Sequence, residues 1–426
     1  MSGHVMNRPI EALRTGAFLT RGRVRLWAIA VLAASAAALL YVVVTAHGVI
    51  DSQGRPLGTD FSLVYAAGSL VLDGQPIAAF DPAALFAREQ AIFGDQTQFY
   101  PWIYPPFFLG VAALLALMPY ALALLAWQGA TLVAYLAAVR AILGRSGARI
   151  DRLWVLLAVA FPAVFVNIGH GHNGFLTAAL LAGGLVLLDR RPVAAGVLFG
   201  LIAYKPQFGI LIPLVLVATG RWRTFAAAAA TVAALVLAAT LAFGAEVWPA
   251  FLQASRFART EVLEAGGTGW HKIQSVFAWA RMWGAGVPLA YLLQGAVSVA
   301  VAAALARLWR GRADFAHQSA ALAIATILAT PYSLDYDLMV LAPAIAFLAA
   351  NGLARGFGAY EKSALAALWI VPLIARAVAQ ATLIPIGAIA MLAAFAVIAR
   401  RPRGGLAPAT PASGTLGAPS LARGEA

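Results

Sequence analysis

Cysteine is absent from the 426-residue chain. That excludes disulfides, thiolate metal sites and cysteine nucleophiles, and says nothing about redox compartment. Charge is scarce as well: Asp, Glu, Lys and Arg make up 11% of the residues, against about 25% in a soluble globular protein. Acid is the scarcer sign, with 17 Asp and Glu against 30 Lys and Arg and a formal net charge of +13. Alternating segments of about ten residues, the mark of a transmembrane barrel, are missing too. What fills the chain instead is apolar. It is 62% hydrophobic, with a mean hydropathy of +0.83, in repeated runs that carry Ala, Leu and Gly on all sides. In a bilayer each segment must satisfy its own backbone hydrogen bonds, so such runs are helices. The fold class is therefore all-α, a polytopic transmembrane helical bundle.

Candidate spans cover residues 24–46, 120–143, 153–166, 175–188, 193–204, 208–218, 224–243, 287–308, 319–331, 338–350, 364–379 and 383–399. The stretch Trp27–Ala46 is longer than a signal-peptide core and lacks a small-residue cleavage site, so it reads as an uncleaved first span. Basic residues cluster in alternate short connections. The clusters are Arg14/Arg21/Arg23/Arg25, Arg140/Arg145/Arg149/Arg152, Arg190/Arg191, Arg221/Arg223, Arg307/Arg310/Arg312, Arg355/Lys362 and Arg400/Arg401/Arg403. That placement is a topology signal rather than a nucleic-acid surface, and no nucleic-acid partner is expected. Positive-inside reasoning puts residues 1–23 and a Pro/Gly/Ala/Ser-rich, disordered tail at 402–426 in the cytoplasm. Between them lies a membrane domain, residues 24–401, of about 12 spans, with external loops near 47–105 and 245–285. The charge alternation needs an odd number of crossings between residues 107 and 143. Phe107–Met118 is thus expected to dip into the bilayer or pack on it before Pro119, and Tyr120–Leu143 to cross.

The loop at residues 47–104 concentrates acid: Asp51, Asp60, Asp73, Asp81, Glu89 and Asp95, against Arg55 and Arg88. Asp81-Pro82 is an N-cap with proline at the first helical position, and Gly94 can end that helix. Leu85, Phe86, Glu89, Ile92 and Phe93 then share a face, as do Phe61, Val64, Tyr65 and Leu72 after Asp60. Both segments read as amphipathic helices on the membrane surface.

Six groups could carry chemistry. Asp60 is either a carboxylate that takes a proton from an acceptor hydroxyl or the N-cap of a helix beginning at Phe61. Tyr104-Pro105-Pro106 either starts a helix or fixes the loop's return over a cavity. His170 and His172 have i, i+2 spacing and no carboxylate nearby in sequence, which favours polar lining of a headgroup cavity over metal binding; Asn173 joins them. Lys205, an isolated cation at the end of an apolar span, either snorkels or meets a phosphate. Trp270-His271-Lys272 stands in the long outer connection, and Tyr332-Ser333-Leu334-Asp335-Tyr336-Asp337 reads as an interfacial tyrosine belt with a helix cap; their common placement on one face makes both candidates for lining it.

Asp60-Phe-x-x-x-Tyr65, Tyr104-Pro-Pro, Gly171-His-Asn173, Lys205-Pro-Gln207 and Pro331-Tyr-Ser-x-x-Tyr336-Asp337 occur in that order. The set resembles glycosyltransferase family 87, a group of GT-C membrane enzymes, over roughly Asp60 to Leu341. Members usually carry Gly-Gln-x-Asn where this chain has Gly169-His170-Gly171-His172-Asn173, which leaves Asn173 as the matching position. The resemblance implies a hexosyltransferase that moves a mannose-like sugar from a polyprenyl-phosphate donor to a glycan or lipid acceptor. It implies an inverting, metal-independent reaction with no cofactor, at the outer face of a bacterial inner membrane. It also implies Asp60 as general base and Lys205 near the phosphate. Gln207, Tyr104, His170, His172, Asn173, Lys272, Tyr336 and Asp337 are the expected substrate-binding residues. The rival reading is a secondary transporter or flippase, which internal repeats and charges in the middle of spans would favour.

Overall fold

The structure is a computed structural model that describes residues 3–145 and 151–400, with side chains from residue 8 onward. The tail at 402–426, expected to be disordered, and Arg149, Arg401 and Arg403 lie outside the described residues. The chain opens with α1 (Gly3–Thr15) and α2 (Arg21–Val44). The acidic loop follows and holds α3 (Thr59–Leu72) and α4 (Pro82–Phe93). Next come α5 (Phe108–Ala116), α6 (Tyr120–Arg145), α7 (Arg152–Val159), α8 (Pro162–His170) and α9 (Gly174–Leu187). They lead to α10 (Pro192–Leu201), α11 (Pro206–Gly209), α12 (Leu211–Ala218) and α13 (Trp222–Phe243). The second long connection carries α14 (Val247–Phe257), a π-helical turn at Ala258–Glu264 and α15 (Val276–Met282). The chain closes with α16 (Val287–Arg310), α17 (Phe315–Leu328), α18 (Leu341–Arg355), α19 (Glu361–Thr382) and α20 (Ile386–Ala399). Among the described residues there is no strand, only isolated bridges such as Ile273 with Leu334.

Among the described residues, six helices are long and apolar enough to cross a membrane: α2, α6, α13, α16, the continuous stretch Asp335–Arg355, and α19. The pair α7–α8, bent by 46°, makes a seventh if it is one broken span. The other expected spans are apolar helices of 10–17 residues. Burial sorts them into layers. The apolar window of α13 is 6% buried and that of α2 is 11%, whereas that of Asp335–Arg355 is 78% buried. The first two therefore present Leu237, Leu241, Tyr41 and Val44 outward, and α18 forms the centre of the bundle with α17. Small residues let neighbours close in: a side chain at Gly196 or Gly200 of α10 would collide with the backbone of α13.

The acidic loop folds differently from expectation in one respect. Asp81 does cap α4, accepting from the Ala83 amide at 2.8 Å, and Gly94 ends it. That helix buries Leu85, Glu89 and Phe93 while Ala87 and Ala91 face out. The helix α3, expected to lie on the membrane surface, is instead enclosed. Phe61, Ser62, Leu63, Val64, Ala66, Ala67, Gly68 and Leu70 are all buried, which leaves no continuous polar face. The cause is α5, whose Ala112 carbonyl would sit 2.1 Å from a Cβ at Gly68. With nine residues, α5 is about 14 Å long, half of a ~30 Å hydrocarbon core, and it packs on α3 before Pro119 turns the chain into α6.

Candidate active site

Two glycines bring the site together. Gly58, the N-cap of α3, and Gly171, the C-cap of α8, both have left-handed backbones, with φ of 70° and 61°. A Cβ on Gly171 would lie 2.6 Å from the Cβ of Phe61 and 3.2 Å from the Cα of Gly58. Only glycine at 171 therefore lets the first turn of α3 press against the last turn of α8. Asp60 arrives beside His170 and His172 by this contact. It is the second residue of α3, not its N-cap, so its carboxylate has no capping role. This corrects the alternative that Asp60 serves as the helix cap.

The Asp60 side chain is 17% exposed. Oδ1 lies 3.7 Å from His170 Nδ1 and Oδ2 lies 3.9 Å from His172 Nε2. The Thr59 hydroxyl is 3.5 Å from Oδ1 and 2.9 Å from His170 Nδ1. The histidine pair, which has no acidic neighbour in sequence, thus has one in space. Among the described residues no group of three or more His, Cys, Asp or Glu side chains is placed to hold a metal ion.

Beneath this rim the polar groups are buried and mostly paired. Asn173 Nδ2 donates to the Tyr104 hydroxyl at 2.8 Å, and that hydroxyl meets His172 Nε2 at 3.1 Å. Burial, then the positive charges of Lys205 and His170, drive the His172 imidazole well below its ordinary value, so the ring is neutral. Burial and the Asp60 carboxylate push the Tyr104 phenol well above its own, so it remains a hydroxyl. The Tyr336 ring stacks on His172 with centroids 3.6 Å apart. Gln128 donates to the His172 carbonyl at 2.9 Å, and Asn167 Nδ2 donates to Gln128 at 3.1 Å. His172 Nδ1 and Asn173 Oδ1 are buried without a hydrogen-bond partner among the described residues.

Lys205 is neither isolated nor snorkelling. Its Nζ donates to Asp337 Oδ1 at 2.6 Å in a pair that is almost wholly buried, and it lies 5.3 Å from the Tyr336 ring centre. The proline after it starts α11, so the backbone turns there and aims the side chain inward. Gln207, on α11, is half-buried and stays outside this network. Lys272 stands on a short turn, Trp270–Lys272, packed against α19. Burial, then Arg376, lower its ammonium from the ordinary value, and Asp335 and Asp60 pull the other way. Arg376 pairs with buried Asp335 at 3.5 Å. It was missed as a site residue although its signal was present: an arginine inside the apolar run 364–379. Thr59 and Gln128 carried no such signal, being ordinary polar residues of helices.

The described chain is thus an all-helical integral membrane protein with a carboxylate, two imidazoles and nearby cations gathered at one end of its bundle. The family model for glycosyltransferase family 87 matches residues 102–331, more than half of the chain. The protein belongs to glycosyltransferase family 87 and is a membrane glycosyltransferase, and its helical bundle agrees with the GT-C architecture. The matched range holds Tyr104, His170, His172, Asn173, Lys205 and Lys272; Tyr336 and Asp337 lie just past its end, and Asp60 lies well before its start. Neither the curated proteins nor the solved structures give a match to the chain.

Proposed function

We propose that this glycosyltransferase moves a mannose-like hexose from a polyprenyl-phosphate sugar to a glycan or lipid hydroxyl at the outer face of a bacterial inner membrane. The reading rests chiefly on Asp60, a partly exposed carboxylate set between two imidazoles. The acceptor oxygen attacks the anomeric carbon, Asp60 takes the acceptor's proton, and the phosphate leaves with the bonding electrons. One displacement inverts the anomeric centre and needs one base rather than a carboxylate pair. Charge gathers on the leaving phosphate, and Lys272 and Arg376 are the cations that meet it there. Lys205, committed to Asp337, supports the site floor through Tyr336 instead of binding the phosphate directly. The unpartnered His172 Nδ1 and Asn173 Oδ1 are left for hydroxyls of the donor sugar.

The test is transfer by the purified protein in lipid nanodiscs, with radiolabelled synthetic polyprenyl-phosphate hexoses beside nucleotide sugars, followed by NMR of the product's anomeric centre. Label moving from the lipid donor with inversion is expected. Transfer from nucleotide sugars alone, or a retained configuration, overturns the reading.

A further inference from the structure

The break between α7 and α8 leaves a gap in the bundle. Pro162 opens α8 and has no N–H to offer, so carbonyls in the last turn of α7 lose their helical partners. Side chains of neighbouring helices take them up. The Tyr135 hydroxyl of α6 donates to the Ala158 carbonyl at 3.1 Å, and Trp369 Nε1 of α19 donates to the Leu157 carbonyl at 3.0 Å. Both are long aromatic arms, and they hold α7 off the bundle: none of its residues is buried. Behind it lies a cavity of about 60 Å³, walled by α6, α7, α18 and α19. A water would fit by size, but the walls are almost wholly apolar, and such cavities stay dry.

The cavity is a slot. Tyr135, Val139 and Leu143 line one wall a turn apart, about 12 Å in all, and the small side chains of Ala346 and Ala349 face the slot from α18. One end lies by Leu143 and Trp154, each two residues from an arginine, Arg145 and Arg152. The other end closes on Phe161, the middle of the broken span 152–170. The slot thus runs through roughly 15 Å, the depth of one leaflet. It is the leaflet away from Asp60, because α8 continues from Phe161 to His170 beside that carboxylate. Arg152 is exposed, and α2, which packs on α7, adds exposed Arg21, Arg23 and Arg25. Against them Asp151 is a single acid, paired with Arg21.

From this placement we infer that the slot binds one acyl chain of an anionic phospholipid, with the tail between α6 and α7 and the phosphate at Arg152. At this depth hydrocarbon is what surrounds the protein, and the arginines at the mouth select a negative headgroup. The chain supplies the packing that α7 lacks on its inner side. The inference does not depend on which sugar donor the enzyme uses.

The test is titration of the full chain in detergent with phosphatidylglycerol brominated in mid-chain, since bromine quenches the indoles it touches. Trp154 and Trp369 line the slot, so wild type should show a saturable quench and a melting temperature that rises with lipid. Trp154→Phe should lose part of that quench. Ala346→Phe fills the slot and should abolish both the saturable quench and the lipid-dependent rise; Ala349→Leu repeats the block nearer the arginines should Ala346→Phe fail to fold. Arg152→Gln, or phosphatidylcholine in place of phosphatidylglycerol, should weaken binding about fivefold. A wild type without saturable quenching, or blocked variants that match it, overturns the inference. Equal binding of phosphatidylcholine overturns the headgroup assignment, and displacement by a polyprenyl phosphate but not by phosphatidylglycerol would give the slot to the donor's tail instead.

Discussion

At the scale of single residues, pairing decides what each charge can do. Lys205 and Asp337 are buried together, so removing one strands the other in an apolar interior. Lys205→Met or Asp337→Leu alone should destabilise the protein by about 3–5 kcal/mol, and the double substitution by clearly less. Thermal unfolding in detergent reads the difference; equal losses in singles and double would refute a mutually dependent pair. Lys272 and Arg376 sit nearer the rim, Arg376 partly exposed while it pairs with buried Asp335. Lys272→Gln should lower kcat/KM for the lipid-phosphate donor about tenfold or more with little change in melting temperature, whereas Arg376→Gln, which strands the buried Asp335 carboxylate, should lower both. Lys272 is half-buried, so its substitution opens no sealed core.

At the scale of helices, the meeting of α3 and α8 positions the chemistry. Gly171→Ala adds both left-handed strain and a collision with Phe61, so it should cost about 1–3 kcal/mol and pull Asp60 away from the histidines. Gly48→Ala is the control: its φ is 64° but open space surrounds it, so it carries the strain without the collision. Transfer rates compared at equal folded fraction separate the two; equal activities would show that the α3–α8 contact does not position Asp60. This level was only partly legible in the sequence. The Asp81-Pro82 start and Gly94 end of α4 are local signals and could be read directly. The enclosure of α3 could not, because it depends on α5 and α8 packing around it. The approach of Asp60 to His170 joins residues 110 apart, and that of Lys205 to Asp337 residues 132 apart, and no periodicity encodes such a contact.

For the whole molecule, the apolar composition made the membrane bundle legible, since nearly every apolar run became a helix. Its orientation rests on the arginine clusters and is open to a direct test. The chain has no cysteine, so single cysteines can be introduced without removing any. Ser52→Cys and Arg190→Cys, both at exposed positions, should respond oppositely to a membrane-impermeant maleimide. The first should label in intact cells and the second only after permeabilisation. The reverse pattern would put the Asp60 end in the cytoplasm and contradict an outward-facing reaction.

The account depends most on the Asp60 carboxylate as the group that deprotonates the acceptor. Asn in its place keeps the size and removes the base. Transfer of radiolabelled hexose from a synthetic polyprenyl-phosphate donor, measured for wild type and Asp60→Asn at equal amounts of folded protein, should fall about 10²–10⁴-fold with donor KM nearly unchanged. A variant that transfers sugar at the wild-type rate would contradict the account.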